Sequence, residues 1–472
     1  MDIRRRMLTS SGGGLNIDNY LTIEANEDGL TASLSANACE YCVDGDGNWK
    51  TLSAGTTTES INSGQTLSFR GNLTPTSSNG IGTFTINKKC NLKGNCMSIL
   101  FGDNAADNYS LRDKDYAFYK LFYGCSNIVN VSSNFLPATK LANDCYESMF
   151  DGCTSLTSAP ELPATTLAIY CYCSMFYGCT SLTTAPELPA TTLTAYCYRV
   201  MFNGCTSLTS APELPATTLA TSCYENMFQG CTSLANAPEL PATTLANGCY
   251  ENMFNGCTRL TTAPKLPATT LANSCYRNMF QDCTSLVNAP ELPATTLADS
   301  CYYDMFNGCT SLTTAPELPA TAIVKKCYQS MFRGCTSLTS APELPATTLA
   351  DSCYYSMFNS CISLVNAPEL PATTLSDSCY GSMFSSCTGL TTAPELPATT
   401  LTPYCYYSMF QSCNKLNYIK MLATDISASS CLSSWVYGVS STGTFIKNAA
   451  MTSLPTGSSG IPDGWTVVGW TV

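Results

Sequence analysis

Apolar residues follow one order along this chain, and the order returns every 26 residues. A typical copy, residues 205–230, reads CTSLTSAPELPATTLATSCYENMFQG. Cys223, Met227 and Cys231 stand at i, i+4 and i+8, and Tyr224 and Phe228 form a second i, i+4 pair. That spacing predicts a short helix over 219–230, two to three turns long. Thr221 and Ser222 suit its N-cap and Gly230 its C-terminal end. Asp282, Ser360, Ser386 and Ser412 stand at the glycine position in other copies, so a left-handed residue there is not expected to be obligatory. Leu208, Ala211 and Leu214 read as inward positions of an extended segment. Pro212 and Pro215 stop any helix from continuing and remove ladder donors, so that segment is expected to be short and partly polyproline-like.

Such a unit cannot bury its own apolar face. Stacked copies supply the missing wall, and the Cys, Met, Phe and Leu columns become continuous inside. The fold class this predicts is an α/β solenoid of 26-residue units over 106–440, with an all-β sandwich-like domain before it and a cap after it. Residues 15–105 read as the β-rich domain. Its expected strands are Tyr20–Glu24, Leu30–Ser35, Glu40–Val43, Trp49–Leu52, Gln65–Arg70 and Gly82–Ile86, with a hairpin at 44–47. Residues 94–103 read as leading into a cap over the first coil. Trp435 and Val436 replace Met-Phe where the repeat decays, and 441–472 reads as a terminal cap. Residues 1–14 read as a basic flexible tail.

Composition narrows the chemistry. The 472 residues hold no histidine, which excludes Ser-His-Asp and Cys-His catalysis and His-ligated zinc. The net charge of −12 argues against a nucleic-acid surface. Apolar runs are too short to span a bilayer. Arg4, Arg5 and Arg6 precede a polar, Gly-rich stretch without an apolar core, so the chain as written reads as not exported by the general secretory route. A reducing compartment then favours free thiols. The 29 cysteines are mostly a repeat count and read as small buried fillers. Cys39, Cys42, Cys90 and Cys96 could assemble a zinc site, but residues 39 and 42 would face opposite sides of a strand. Cys173 reads as a surface variant. Asp44, Asp46 and Asn48 echo a calcium loop without its later ligands and read as a hairpin turn.

The motif MFxGCTSLTxAPELP resembles the BspA-like bacterial leucine-rich repeat family, whose units carry F-x-x-C-x-x-L. The resemblance spans about 117–440 and implies a solenoid used in adhesion or protein binding. The extra proline departs from that family's regular strand. The basic opening and the Gly-Ile-Pro-Asp-Gly-Trp ending resemble gut bacteriophage and prophage appendage proteins.

Two surface features invite a functional reading. Glu161, Glu187, Glu213, Glu239, Glu291, Glu317, Glu343, Glu369 and Glu395, interrupted by Lys265, form a column. Splaying into solvent accounts for it; a strip for divalent cations or a basic partner is the functional alternative. The second feature is variation around the Cys-Tyr pair, where Tyr170, Tyr196, Arg199, Arg277, Tyr303, Lys325, Lys326, Tyr355 and Tyr404 are the candidate ligand-binding residues. The stretch 321–326 departs most and reads as a contact or a stacking fault. No catalytic residue, metal site or cofactor is expected.

These features imply a non-catalytic virion appendage, a phage tail or fibre protein. Its N-terminal region would meet other virion proteins and its solenoid a host-surface protein or glycan. A bacterial surface adhesin is the alternative. Homo-oligomerisation fits either; nucleic acid and membrane insertion fit neither.

Overall fold

The computed structural model describes residues 15–77 and 79–471, so the tail read at 1–14 lies outside them. The chain divides into two compact units, Met1–Leu188 and Pro189–Val472.

In the first unit, strands β1 (Leu21–Ala25), β2 (Ala32–Leu34), β3 (Cys39–Val43), β4 (Lys50–Leu52), β5 (Thr66–Arg70), β6 (Phe84–Ile86), β7 (Cys90–Gly94) and β8 (Ile128–Val131) form two sheets. One runs β4-β3-β5-β1-β7-β8 and the other is the β2-β6 pair. The domain is therefore β-rich, with one broad sheet and one small one rather than two matched sandwich layers. All six strands expected from the sequence form. β7 was not anticipated, although Cys90, Leu92 and Gly94 are buried in alternation with Asn91 and Lys93. β7 pairs antiparallel with β1 and parallel with β8, whose residues belong to the first coil of the array. The hairpin reading of 44–47 holds: Asp46 accepts hydrogen bonds from Asn48 N (2.8 Å) and Asn48 Nδ2 (3.0 Å). Strands β5 and β1 separate β3 from β7. That sets Cys39 and Cys42 about 14 Å from Cys90 at the usual strand spacing, too far to share one metal ion.

The repeats contain no α-helix, and the α/β expectation is corrected here. Residues 221–231 form a train of overlapping turns, and their hydrogen bonds alternate. Glu225, Met227, Gln229 and Cys231 N–H donate three residues back, to Ser222, Tyr224, Asn226 and Phe228 O, at 3.1–3.4 Å. Ser222, Tyr224, Asn226, Phe228 and Gly230 N–H donate to the next coil, at Asn247, Cys249, Glu251, Met253 and Asn255 O, at 2.8–3.0 Å. Every fourth residue is left-handed: Ser222 (φ 50°), Asn226 (56°) and Gly230 (71°). The conformation persists where glycine is replaced, at Asp282 (57°), Ser360 (64°), Ser386 (63°) and Ser412 (62°). A helix drifts by about 40° for each i, i+4 step, whereas this backbone repeats every four residues without drift. Gly, Asn and Asp, which tolerate that region best, share these left-handed positions with small serines at most coils.

The train turns Cys223, Tyr224, Met227, Phe228 and Cys231 inward, each 1% exposed or less. Tyrosine rings stack from Tyr198 to Tyr406 at 5.7–6.2 Å between neighbouring centroids. Phenylalanines from Phe202 to Phe410 stack beside them at 5.6–5.8 Å. Trp435 ends both columns, 6.4 Å from Tyr406 and 6.1 Å from Phe410. In the first unit Phe84 of β6 begins the phenylalanine column, stacked on Phe122 at 5.5 Å, and Phe122 on Phe150 at 5.6 Å.

None of the 29 cysteines is in a disulfide and all are buried, Cys173 included, so that residue is not a surface variant. One column carries weak hydrogen bonds that an inert filler would lack. Cys231 Sγ donates to Phe202 O, and Cys257 Sγ to Phe228 O, both at 3.1 Å. Burial pushes the Cys257 and Cys413 thiols up to about 12. They stay protonated at neutral pH, which leaves little thiolate for nucleophilic attack.

Beyond the trains the chain alternates. Pro212, Leu214 and Ala216 are buried, and Glu213, Pro215 and Thr217 are exposed. Ala211, expected inside, is only half-buried, because the alternation is set one residue later. Near the C-terminus this segment becomes regular: β9 (Thr392–Leu396), β10 (Tyr418–Met421), β11 (Thr444–Asn448) and β12 (Thr466–Trp470) form a parallel sheet in the order β12-β11-β10-β9.

One acid in the first unit reports on this packing. Burial raises Asp151 to about 6, against the opposing pull of Lys120 and a hydrogen bond with Ser148. A raised acid contributes stability below its unfolded value and loses it as pH rises through the folded one. Asp151→Asn is therefore expected to stabilise the protein at pH 7.5 and not at pH 4. Urea melts at the two pH values check this, and an equal effect at both would contradict it.

Candidate binding face

The turn train has a two-in, two-out rhythm. Outward positions come just before each Cys-Tyr pair, just after it, and again after Met-Phe. Inter-coil hydrogen bonds hold equivalent outward residues in columns.

The column after Cys-Tyr runs through Arg199, Glu225, Glu251, Arg277, Tyr303, Gln329 and Tyr355. Arg199 Nη2 meets Glu225 Oε1 at 3.0 Å, and Asn226 Nδ2 donates to the same oxygen at 3.1 Å. Arg277 Nη1 lies 3.5 Å from Glu251 Oε1. The Arg277 guanidinium also sits 4.9 Å from the centre of the Tyr303 ring. Burial raises the Glu251 carboxyl; Arg277 opposes the rise and the neighbouring Glu225 charge adds to it. Burial likewise raises Asp304, against a hydrogen bond from Asn307. The Tyr355 ring lies where a Cβ on Gly381 would meet it at 2.8 Å, so Gly381 makes room for that ring.

The position before Cys-Tyr holds Tyr170 in the first unit; in the second unit the column at this position holds Tyr196, Lys326 and Tyr404. All four are left-handed, at φ 55°, 59°, 56° and 56°. Lys325 is exposed beside Lys326. Tyr404 is 45% exposed and meets Tyr407 edge-on at 6.0 Å, so the two columns touch there. Corner residues such as Thr270 and Thr296 bridge in parallel, but Ala322 makes no such bridge. The departure at 321–326 is thus a break in the corner ladder.

The sequence reading picked out Arg199, Arg277 and Tyr303 but passed over Glu225 and Glu251. Those acids occupy the same column, 26 residues from the arginines, and reading position by position across copies would have found them. Among the described residues, no three Cys, Asp or Glu side chains gather as metal ligands. No helix among them is long and apolar enough to cross a membrane.

Stacked coils with an apolar interior, hydrogen-bonded backbone arms and columns of outward side chains define a β-solenoid-like repeat protein. The profile of the BspA type leucine rich repeat region matches again and again, over residues 114–235, 143–287, 195–313, 248–390 and 299–431. The chain belongs to that family. Proteins of this kind are typically non-catalytic and often associated with cell surfaces, and membership is consistent with a surface adhesin-type repeat protein. A search of curated proteins finds no match.

Proposed function

We propose that this chain is a non-catalytic adhesion protein whose turn-train columns bind a host-surface protein or glycan. One observation carries the reading: an interior that scarcely varies holds outward columns that do vary, in which Lys325 and Tyr404 are exposed and the other candidate Arg, Tyr and Lys side chains are half-buried. Fixed aromatic side chains lose little entropy on binding. Tyr303, Tyr355 and Tyr404 supply the apolar area, and Lys325 and Lys326 the charge. Tyr196, Arg199 and Arg277 complete the set in the second unit, with Arg199 and Arg277 oriented by their glutamates, and Tyr170 is the separate candidate of the first unit. The β-rich domain, 15–105, acts as the docking domain.

The test is binding of labelled protein to intact host cells, with and without periodate or protease treatment. Triple substitution Tyr303→Ala, Tyr355→Ala, Tyr404→Ala is expected to lower cell binding at least tenfold. Unchanged binding by a folded triple variant would reject these columns as the site.

A second placement, on a phage particle, draws on the Gly-Ile-Pro-Asp-Gly-Trp ending, residues 460–465. Immunogold labelling of purified particles and of bacterial envelope fractions separates it from a cell-surface adhesin.

A further inference from the structure

The Pro-Glu-Leu-Pro face of the second unit offers a different kind of surface. Two prolines in each coil lack the N–H that a ladder needs, and the chain there opens into clefts between coils. One cleft of about 420 Å³ is lined by Pro264, Lys265, Leu266, Pro267, Pro290 and Glu291. The same place in later coils gives a cleft of about 380 Å³ lined by Pro368, Glu369, Leu370, Pro371, Pro394 and Glu395. Each is lined by proline rings, a leucine and at least one carboxylate, and the first also by the ammonium-bearing Lys265 where the column's glutamate is replaced.

Glu213, Glu239, Glu291, Glu317, Glu343, Glu369 and Glu395 are all exposed along this face. Neighbouring carboxylates at about 4.8 Å repel by roughly 0.9 kcal/mol even in water's dielectric. Among the described residues, the column's own ion pair is at its end, where Lys420 Nζ reaches Glu395 Oε2 at 2.9 Å. The Lys420 side chain is only 16% exposed there, and its ammonium lies 4.1 Å from the centre of the Trp470 ring. The chain itself thus shows a lysine head held on the column's last carboxylate, its side chain largely covered at the strand beside Trp470.

We propose that this face docks an extended, lysine- or arginine-bearing protein segment, with stems in the clefts between coils and cationic heads on the Glu column. The proposal names a partner class for the adhesive reading but uses a different face from the tyrosine columns, so either can fail without the other.

The test is fluorescence anisotropy of a labelled ten-residue oligolysine with the full chain at 50 and 300 mM NaCl. The variant is Glu291→Gln, Glu317→Gln, Glu343→Gln. A control of equal charge change, Glu27→Gln, Asp107→Asn, Asp377→Asn, removes exposed acids elsewhere. The proposal expects saturable binding that the column variant weakens at least tenfold, that the control weakens less than twofold, and that salt diminishes. Because the column is self-repelling, its variant should also melt at or above the wild-type temperature in low salt, which separates lost binding from lost folding. Equal losses in column variant and control would overturn the proposal in favour of general electrostatic attraction. Spermine binding as tightly as the peptide would overturn it in favour of small polycations. Absence of saturable peptide binding at 50 mM salt would end it, while cell binding through the tyrosine columns would be unaffected.

Discussion

Truncating Phe280 to alanine is expected to destabilise the second unit by about 3–5 kcal/mol. The ring is fully buried and lies 5.7 Å from both Phe254 and Phe306, nearly parallel to each. Removing it breaks two stacking contacts of about 0.5–1.5 kcal/mol each, besides the apolar area lost. It also opens a gap that its neighbours cannot fill, because their own backbones are pinned by hydrogen bonds from coil to coil. Phe280 O accepts from Cys283 N and Cys309 Sγ, at 3.1 and 3.0 Å, so the backbone holds its place while the side chain is gone. Stability in such an array is close to a sum of coil and interface terms, and a defect in the middle should split or broaden the urea transition rather than merely shift it. Phe280→Leu, which keeps most of the volume, should cost less than half as much. An alanine variant that loses under 1 kcal/mol with a single sharp transition would show that the ring column does not carry the stack.

The second large effect concerns the left-handed positions. Replacing Ser356, Ser382 and Ser408, mid-train positions at φ 54°, 53° and 49°, together by valine should cost about 1–2 kcal/mol per site, because a branched Cβ clashes in that region of backbone space. Replacing the same three by glycine should leave stability equal or higher. In a helix the order would be different: glycine would be the worst choice, costing about 1 kcal/mol relative to alanine at each site, with valine milder. Thermal melts of the two triple variants therefore discriminate the backbones directly. A glycine triple melting below the valine triple would restore the helix. Gly308 offers a related check. A Cβ there would come within 2.2 Å of Asp282 Oδ1, so Gly308→Ala forces the Asp282 side chain aside, whereas at Gly334 the nearest atoms are 3.7 Å away.

Much of the architecture was legible in the chain. The columns of Cys, Tyr, Met, Phe and Leu are interior as the repeat implied, and the six strands read in 15–105 form within a residue or two of their expected limits. The turn train was not legible, because i, i+4, i+8 spacing satisfies a helix and a four-residue turn repeat alike over so few residues. The discriminating signal was present but faint: small polar residues recur every fourth position where a helix has no use for them. Of the candidate surface residues, their outward placement on the arm followed from the pattern. That Arg199 and Arg277 pair with Glu225 and Glu251 did not, since the partner lies a full coil away.

What the sequence determined by itself is the period and the identity of the dry interior, because burying an apolar face at fixed spacing leaves one way to stack the copies. What it left to the tertiary structure is how each stretch completes its hydrogen bonds. The same eleven residues, TTAPELPATTL, stand at 183–193 and at 391–401. The first copy has only isolated bridges, at Thr184 and Thr192, while Thr392–Leu396 of the second is a strand. The difference lies in the neighbour: Tyr418–Met421, proline-free, pairs with it as Tyr418↔Thr392, Lys420↔Glu395 and Met421↔Leu396. A strand needs donors on both sides of the gap, and only the next coil can say whether they are there.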